Sequence, residues 1–181
     1  MIRNTLIALA LAVVGTAVSG ETLMTRNLQP AADLSWTYVA DNVMGGVSEG
    51  QSGVGEDSGQ SFVRLSGDVS TQNRGGFIQV RTMIDPVEAD AQGLVLKVRG
   101  NGERYFIHLR TRSTLLPWQY YQAGFETGSD WREVKLPWSA FEPSGQLLPG
   151  RVTPETIKSV GLVAFGRDHS ADVSLAEIGL Y

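Results

Sequence analysis

The chain of 181 residues contains no cysteine. That excludes disulfide bonds, thiolate metal sites, thiol nucleophiles and lipid attachment through sulfur. Histidine is almost as scarce. His108 and His169 are the two in the chain, and neither has neighbours at metal-ligand spacing, so no metal site and no cofactor are expected. Basic charge is short too: 15 Lys and Arg stand against 19 Asp and Glu. A mildly acidic chain lacks the electrostatic footprint of a nucleic-acid-binding domain. Sustained 3.6-residue periodicity is missing, which predicts no helix longer than about two or three turns.

Glycine is plentiful, at 21 residues, and hydrophobic residues make up 42% of the chain. This is the composition of one folded, loop-rich domain with a real core. Residues 1–19 have the form of a secretory signal. Arg3 supplies the positive start, Leu6 to Val14 a short apolar run, and Ala17-Val18-Ser19 the small residues of a cleavage site. The apolar run is too short for a membrane anchor. The expected organisation is a signal over 1–19, a lead-in over 20–33 and a single β-domain over 34–181. The mature chain is expected to be exported, periplasmic or extracellular, and to have no membrane span.

Two glycine-pair turns organise that domain. The first runs through Asp41, Asn42, Val43, Met44, Gly45, Gly46, Val47 and Ser48, and the second through Ser70, Thr71, Gln72, Asn73, Arg74, Gly75 and Gly76. Each places turn formers beside an aromatic or β-branched run, where a strand enters a tight bend or a close backbone approach. Gly46 and Gly76 are expected where a Cβ would clash or φ is positive. Asp41, Gly45, Gly46, Asn73, Arg74, Gly75 and Gly76 are therefore assigned to structural turns.

Period-2 alternation marks Leu34–Ala40, Ser61–Val69, Phe77–Ile84, Gly93–Arg99, Arg104–Thr111, Trp118–Glu126 and Trp131–Leu136 as strands. Val160–Phe165 and Val173–Tyr181 close the chain as two more. Gly100-Asn101-Gly102 predicts a hairpin between its flanking strands. Glu49–Gln60, rich in Gly, Ser and acids, reads as a mobile loop. Thr153-Pro154 predicts a helical turn. Nine or ten short strands and turn signals between them define an all-β, antiparallel β-sandwich or barrel.

One face of several strands is apolar and must be core. The other carries Gln79 and Arg81, Lys97 and Arg99, Phe106, His108 and Arg110, then Trp118, Tyr120 and Gln122. Were these strands neighbours, rings and guanidinium forks would share a platform for a protein segment or a glycan. Arg81, Arg99, Arg110, Trp118 and Tyr120 are the candidate partner- or ligand-binding residues, with Arg81 and Arg99 expected on one face. The bland reading of the same pattern is a solvated face whose arginines pair with acids, Arg81 with Asp41 for example.

Catalytic signatures are missing. Ser48 and Ser70 have no G-x-S-x-G context. The glycine pairs do not lead into a helix carrying Lys and Ser or Thr, so they are not phosphate loops. No local motif supports a paired-carboxylate glycosidase. The expectation is a non-enzymatic domain with no catalytic residues.

The string Asp41 to Ser48, the string Ser70 to Phe77 with Arg81, Arg99-Gly100-Asn101-Gly102 with Tyr105, Trp118 with Tyr120, and Trp131 with Leu136-Pro137 and Phe141 together resemble the complex I intermediate-associated protein family. The resemblance covers Leu34 to Tyr181. It implies a galactose-binding-like jelly roll, similar to carbohydrate-binding modules. It also implies an assembly or chaperone-like role, since mitochondrial members assemble the respiratory NADH:ubiquinone oxidoreductase. Here a secretory signal stands where those members carry a transit peptide. The expected partner is a protein, a respiratory complex subunit or another envelope protein, with a glycan as the alternative.

Overall fold

A computed structural model describes residues 28–85 and 87–181; the segment read as a secretory signal and Pro86 lie outside them. The described strands are β1 (Gln29–Pro30), β2 (Thr37–Ala40), β3 (Glu49–Asp57), β4 (Gln60–Val69), β5 (Phe77–Met83), β6 (Gly93–Gly100), β7 (Arg104–Thr111), β8 (Tyr121–Glu126), β9 (Arg132–Pro137), β10 (Glu142–Pro143), β11 (Ile157–Phe165) and β12 (His169–Leu180). Helical structure among the described residues is limited to 3-10 turns of three or four residues.

The strands form two antiparallel sheets packed face to face, the sandwich expected from the alternation. Sheet A has the order β3-β4-β12-β6-β9, with β1 pairing the far end of β12. Sheet B has the order β10-β8-β7-β11-β5-β2. Leu65, Leu96 and Ile178 of sheet A and Ile78, Ile107 and Leu162 of sheet B are fully buried in the core between them. Tyr105 is buried with them. Its hydroxyl donates to Asn101 Oδ1 and accepts the N–H of Asp172, both at 2.7 Å. A polar tip on a buried ring is satisfied in this way instead of paying for desolvation.

The strand register departs from the sequence expectation in four places. Glu49–Gln60 is no loop: β3 pairs with β4 along its whole length, from Glu49 opposite Asp68 to Asp57 opposite Gln60. Its polar, glycine-rich residues fit an edge strand that buries nothing and resists pairing with other chains. Ser58 and Gly59 form the two-residue hairpin turn, with φ of 52° and 80°, as that turn type requires.

Nor do β6 and β7 form a hairpin; they lie in opposite sheets. Gly100-Asn101-Gly102 crosses between the layers and is tied to β12, through Asn101 N–H to the Asp172 carbonyl at 3.1 Å and Asn101 Nδ2 to the Ser170 carbonyl at 2.8 Å. Each strand thereby turns its own apolar face inward.

The strand expected over Trp118–Glu126 begins only at Tyr121. Finally, the domain starts before residue 34. β1 and the buried Ala31 fall within the expected lead-in, and the Trp36 indole N–H donates to the Ala31 carbonyl at 2.7 Å.

Candidate functional site

The outer face of sheet B carries a groove of about 660 Å³. Its floor follows from register. Gly161 on β11 is opposite Arg81 on β5 and His108 on β7, so the row across the sheet has no side chain at its centre. In the next row, Val163 lies between Gln79 and Phe106, and beyond it Phe165 pairs with Phe77. A glycine inside a strand commonly marks such a close approach. A Cβ on Gly161 would sit 3.1 Å from Gln79 Oε1.

Aromatic rings wall one side. The His108 and Tyr120 rings stack at 3.9 Å between centroids and 7° between planes, and Phe165 meets both edge-on. Burial pushes the His108 pKa down to about 3, against a smaller opposing effect of Gln122. The ring is therefore neutral across the physiological range. Its Nε2 and the Gln122 Oε1 are both buried, on directly opposed residues of β7 and β8, and among the described residues neither atom has a well-formed hydrogen bond. Trp118 stands above this wall, 63% exposed. The Trp118–Tyr120 loop is held by β10's flank: Ser144 Oγ accepts the Tyr120 N–H at 3.0 Å and donates to the Trp118 carbonyl at 3.3 Å.

The opposite side comes from the two glycine turns. Asp41, fully buried, gathers them. Its carboxylate accepts the Ser48 N–H at 3.0 Å, the Ser48 hydroxyl at 2.5 Å, and the N–H groups of Gly76 and Phe77 at 2.5 and 3.2 Å. Burial by itself would raise the carboxyl's pKa. The donors from Gly76, Ser48 and Phe77 outweigh it and hold the group below the usual carboxylate range. A Cβ on Gly46 or Gly75 would overlap this carboxylate. Asn73 and Arg74 both have positive φ, 54° and 62°, a rarely populated state for side-chain-bearing residues. The first turn delivers Val43 and Met44 to the groove's edge, and the second delivers Arg74. Val43 and Met44 are 73% and 60% exposed.

The candidate residues divide between the two sheets. Arg81, Arg110, Trp118 and Tyr120 line the groove together. Trp118 and Tyr120 meet there through a loop and not through strand alternation. Arg99 is elsewhere, which corrects the expectation that it shares a face with Arg81. Because β6 is in sheet A, the Arg99 guanidinium is held between Trp131 and Phe62, 4.5 and 5.1 Å from their centroids, and paired with Asp57 at 2.7 Å. A shallower depression there, of about 320 Å³, is lined by Arg99, Arg64 and Asp172, and Arg64 is paired with Asp172. Its charges are satisfied internally. Lys97 is likewise on sheet A, bonded to Glu177 at 3.3 Å. Asp41 does not pair with Arg81: its carboxylate is filled by four N–H and O–H donors from the turns.

Sequence reasoning missed Phe77, Phe165 and Gly161, and assigned Arg74 to a turn only. The available signal was Gly161, a lone glycine within an apolar strand. Among the described residues, no three His, Asp or Glu are grouped so as to hold a metal ion, and no helix is long and apolar enough to cross a membrane.

Several solved structures share the fold. The family 11 carbohydrate-binding module of the cellulosomal cellulase Lic26A-Cel5E of Clostridium thermocellum superposes with a TM-score of 0.67 at 14% identity, covering 85% of this chain and 94% of that one. The Clostridium thermocellum family 11 module in complex with a β-1,3-1,4-mixed-linked tetrasaccharide gives 0.64 at 14% identity, over 80% and 87%. A family 30 carbohydrate-binding module gives 0.53 at 14% identity, over 75% and 92%. At these identities the likeness establishes the jelly-roll fold. No curated protein matches the sequence. The sequence profile of complex I intermediate-associated protein 30 (CIA30) matches residues 26–176, a span that takes in both glycine turns and every strand lining the groove. The chain is a member of the CIA30 family.

Proposed function

We propose that the protein is a non-catalytic, exported binding domain whose sheet B groove seats a segment of a partner protein, in an assembly or chaperone-like role. One observation carries the reading. The groove has exposed apolar edges, Val43 and Met44 on one side and Trp118 on the other, flanking half-buried guanidinium groups. Trp, Met and Arg are residue types enriched at protein–protein interfaces, and an exposed apolar edge of this kind marks an interaction site. Hydroxyl-rich sugars gain little from aliphatic edges. Family membership supports the same reading, since the family is named for a protein associated with an intermediate of complex I. The secretory form of residues 1–19 supports an envelope partner.

A glycan reading has its own observation. Trp118 is an open ring beside the Tyr120–His108 stack, and a neighbour of the same fold holds a tetrasaccharide. The readings separate in one comparison. Affinity capture from the envelope fraction should recover the same partner with the wild-type domain and with Arg99→Ala, and lose it with Trp118→Ala. Soluble oligosaccharides, mixed-linked glucans included, should leave tryptophan fluorescence unchanged. A saturable fluorescence change that Trp118→Ala abolishes would replace the protein reading with the glycan one.

A further inference from the structure

The two sheets treat their half-buried cations differently. On sheet A, Lys97 and Arg99 are each paired with a carboxylate, Glu177 at 3.3 Å and Asp57 at 2.7 Å. On sheet B, Arg81 and Arg110 are also half-buried, yet among the described residues no carboxylate pairs with either. Arg110 donates to the carbonyls of Pro117 and Leu116, both at 3.0 Å. These fix the guanidinium in place without neutralising it. Burial, and then the neighbouring Arg81 charge, disfavour the charged form of Arg110, so the two guanidinium groups repel one another across the groove. Like charges held together in partial burial are costly unless an anion completes the set.

Space for that anion exists. Gly161 contributes no side chain to the floor between Arg81 and His108, and the Gln79 amide borders the space above it. His108, only 9% exposed, lines the same hollow as a neutral ring. A carboxylate reaching the floor could take a fork-shaped pair of N–H groups from an arginine.

We infer that the groove recognises an Asp or Glu side chain on an otherwise apolar, extended segment of a partner protein, its carboxylate seated over Gly161 between Arg81 and Arg110. The inference rests on the groove being a protein-binding site and adds the charge class of what binds. A protein segment, as opposed to a free anion, follows from the edges: aliphatic side chains beside the acid would cover Val43, Met44 and Trp118, which a small anion leaves exposed to water.

The test is selection of a displayed random linear peptide library on the full chain, followed by affinity measurement on individual peptides. Enriched sequences should carry Asp or Glu flanked by apolar residues. Exchanging that acid for its amide, or Arg81→Gln in the protein, should weaken binding about 10- to 100-fold. Arg81→Lys should recover part of the loss, because it restores the charge but not the fork. Circular dichroism establishes that each variant is folded; if Arg81→Gln is not, the acid-to-amide exchange against wild type decides. Enriched peptides with no acidic preference, or with affinity unchanged by these exchanges, would overturn the carboxylate inference and leave a protein-binding groove. No enrichment, together with binding of a uronate oligosaccharide, would overturn the inference and the protein reading alike.

Discussion

The Ser48 hydroxyl donates to Asp41 Oδ2 at 2.5 Å and accepts the N–H of Ser70 at 2.9 Å. One side chain thus links the first glycine turn to the second, which are far apart in sequence. Asp41 completes the link by collecting the N–H groups of Gly76 and Phe77. The edge of the groove that carries Val43, Met44 and Arg74 is therefore built on a buried carboxylate that no cation pairs with among the described residues.

Asp41→Asn tests that construction. The amide would turn an N–H₂ group toward backbone N–H donors, leaving buried donors facing each other. A stability loss of about 2–3 kcal/mol is expected, measured by urea unfolding. The pH dependence has a definite sign. Asp41 has a depressed folded-state pKa, so its contribution is present above the ordinary aspartate pKa and is lost as pH falls through the folded value. Asp41→Asn should flatten the most acidic part of the stability profile. An unchanged profile would show that other carboxylates set it.

The glycines around Asp41 separate two costs. Gly46→Ala drives a Cβ into the Asp41 carboxylate, whereas Gly45, at φ 92°, has nothing within 4 Å of its missing Cβ. Gly45→Ala should cost only the backbone strain, about 1 kcal/mol, and Gly46→Ala about 3 kcal/mol. Equal losses in thermal melts would mean that the turn relaxes away from the carboxylate.

His108 should shape acid stability at milder pH. Its folded pKa of about 3 is far below the ordinary 6.5. Between those values the unfolded chain binds the proton and the folded chain does not. Stability therefore falls as pH is lowered through that window, with a limiting slope of about 1.4 kcal/mol per pH unit. His108→Gln should remove that slope. Retention of it in the variant would place the titration elsewhere.

Arg99 and Arg81 should give opposite phenotypes. Arg99 is held between Phe62 and Trp131, so Arg99→Ala should lower stability by about 1 kcal/mol through lost stacking and leave partner capture intact. Arg81→Gln breaks no hydrogen bond or ion pair among the described residues. Its melting temperature should not fall, and partner capture should. The reverse pattern would move the binding surface to sheet A.

The all-β class, most strand positions and the family were legible in the sequence, because period-2 alternation and the turn strings are local properties of the chain. Arg81, Arg110, Trp118 and Tyr120 could be named for the same reason: each is a ring or a guanidinium group beside an apolar strand. Local pattern also fixed which face of β7 carries Phe106, His108 and Arg110, since alternation along one strand needs no knowledge of its neighbour. Which strands are neighbours is a different kind of fact. Nothing in Gly93–Thr111 shows that Gly100-Asn101-Gly102 crosses between sheets; that depends on Asn101 finding β12, about 70 residues on. The crossing sends Arg99 to one face of the molecule and Arg110 to the other. In the same way β3 is a strand only because β4 supplies its hydrogen bonds, as its own side chains bury almost nothing. Tertiary pairing alone brought Gly161 between Arg81 and His108 and so made a hollow of a flat sheet. The sequence determined the chemistry of each strand face, and the order of strands in space decided which faces became a site.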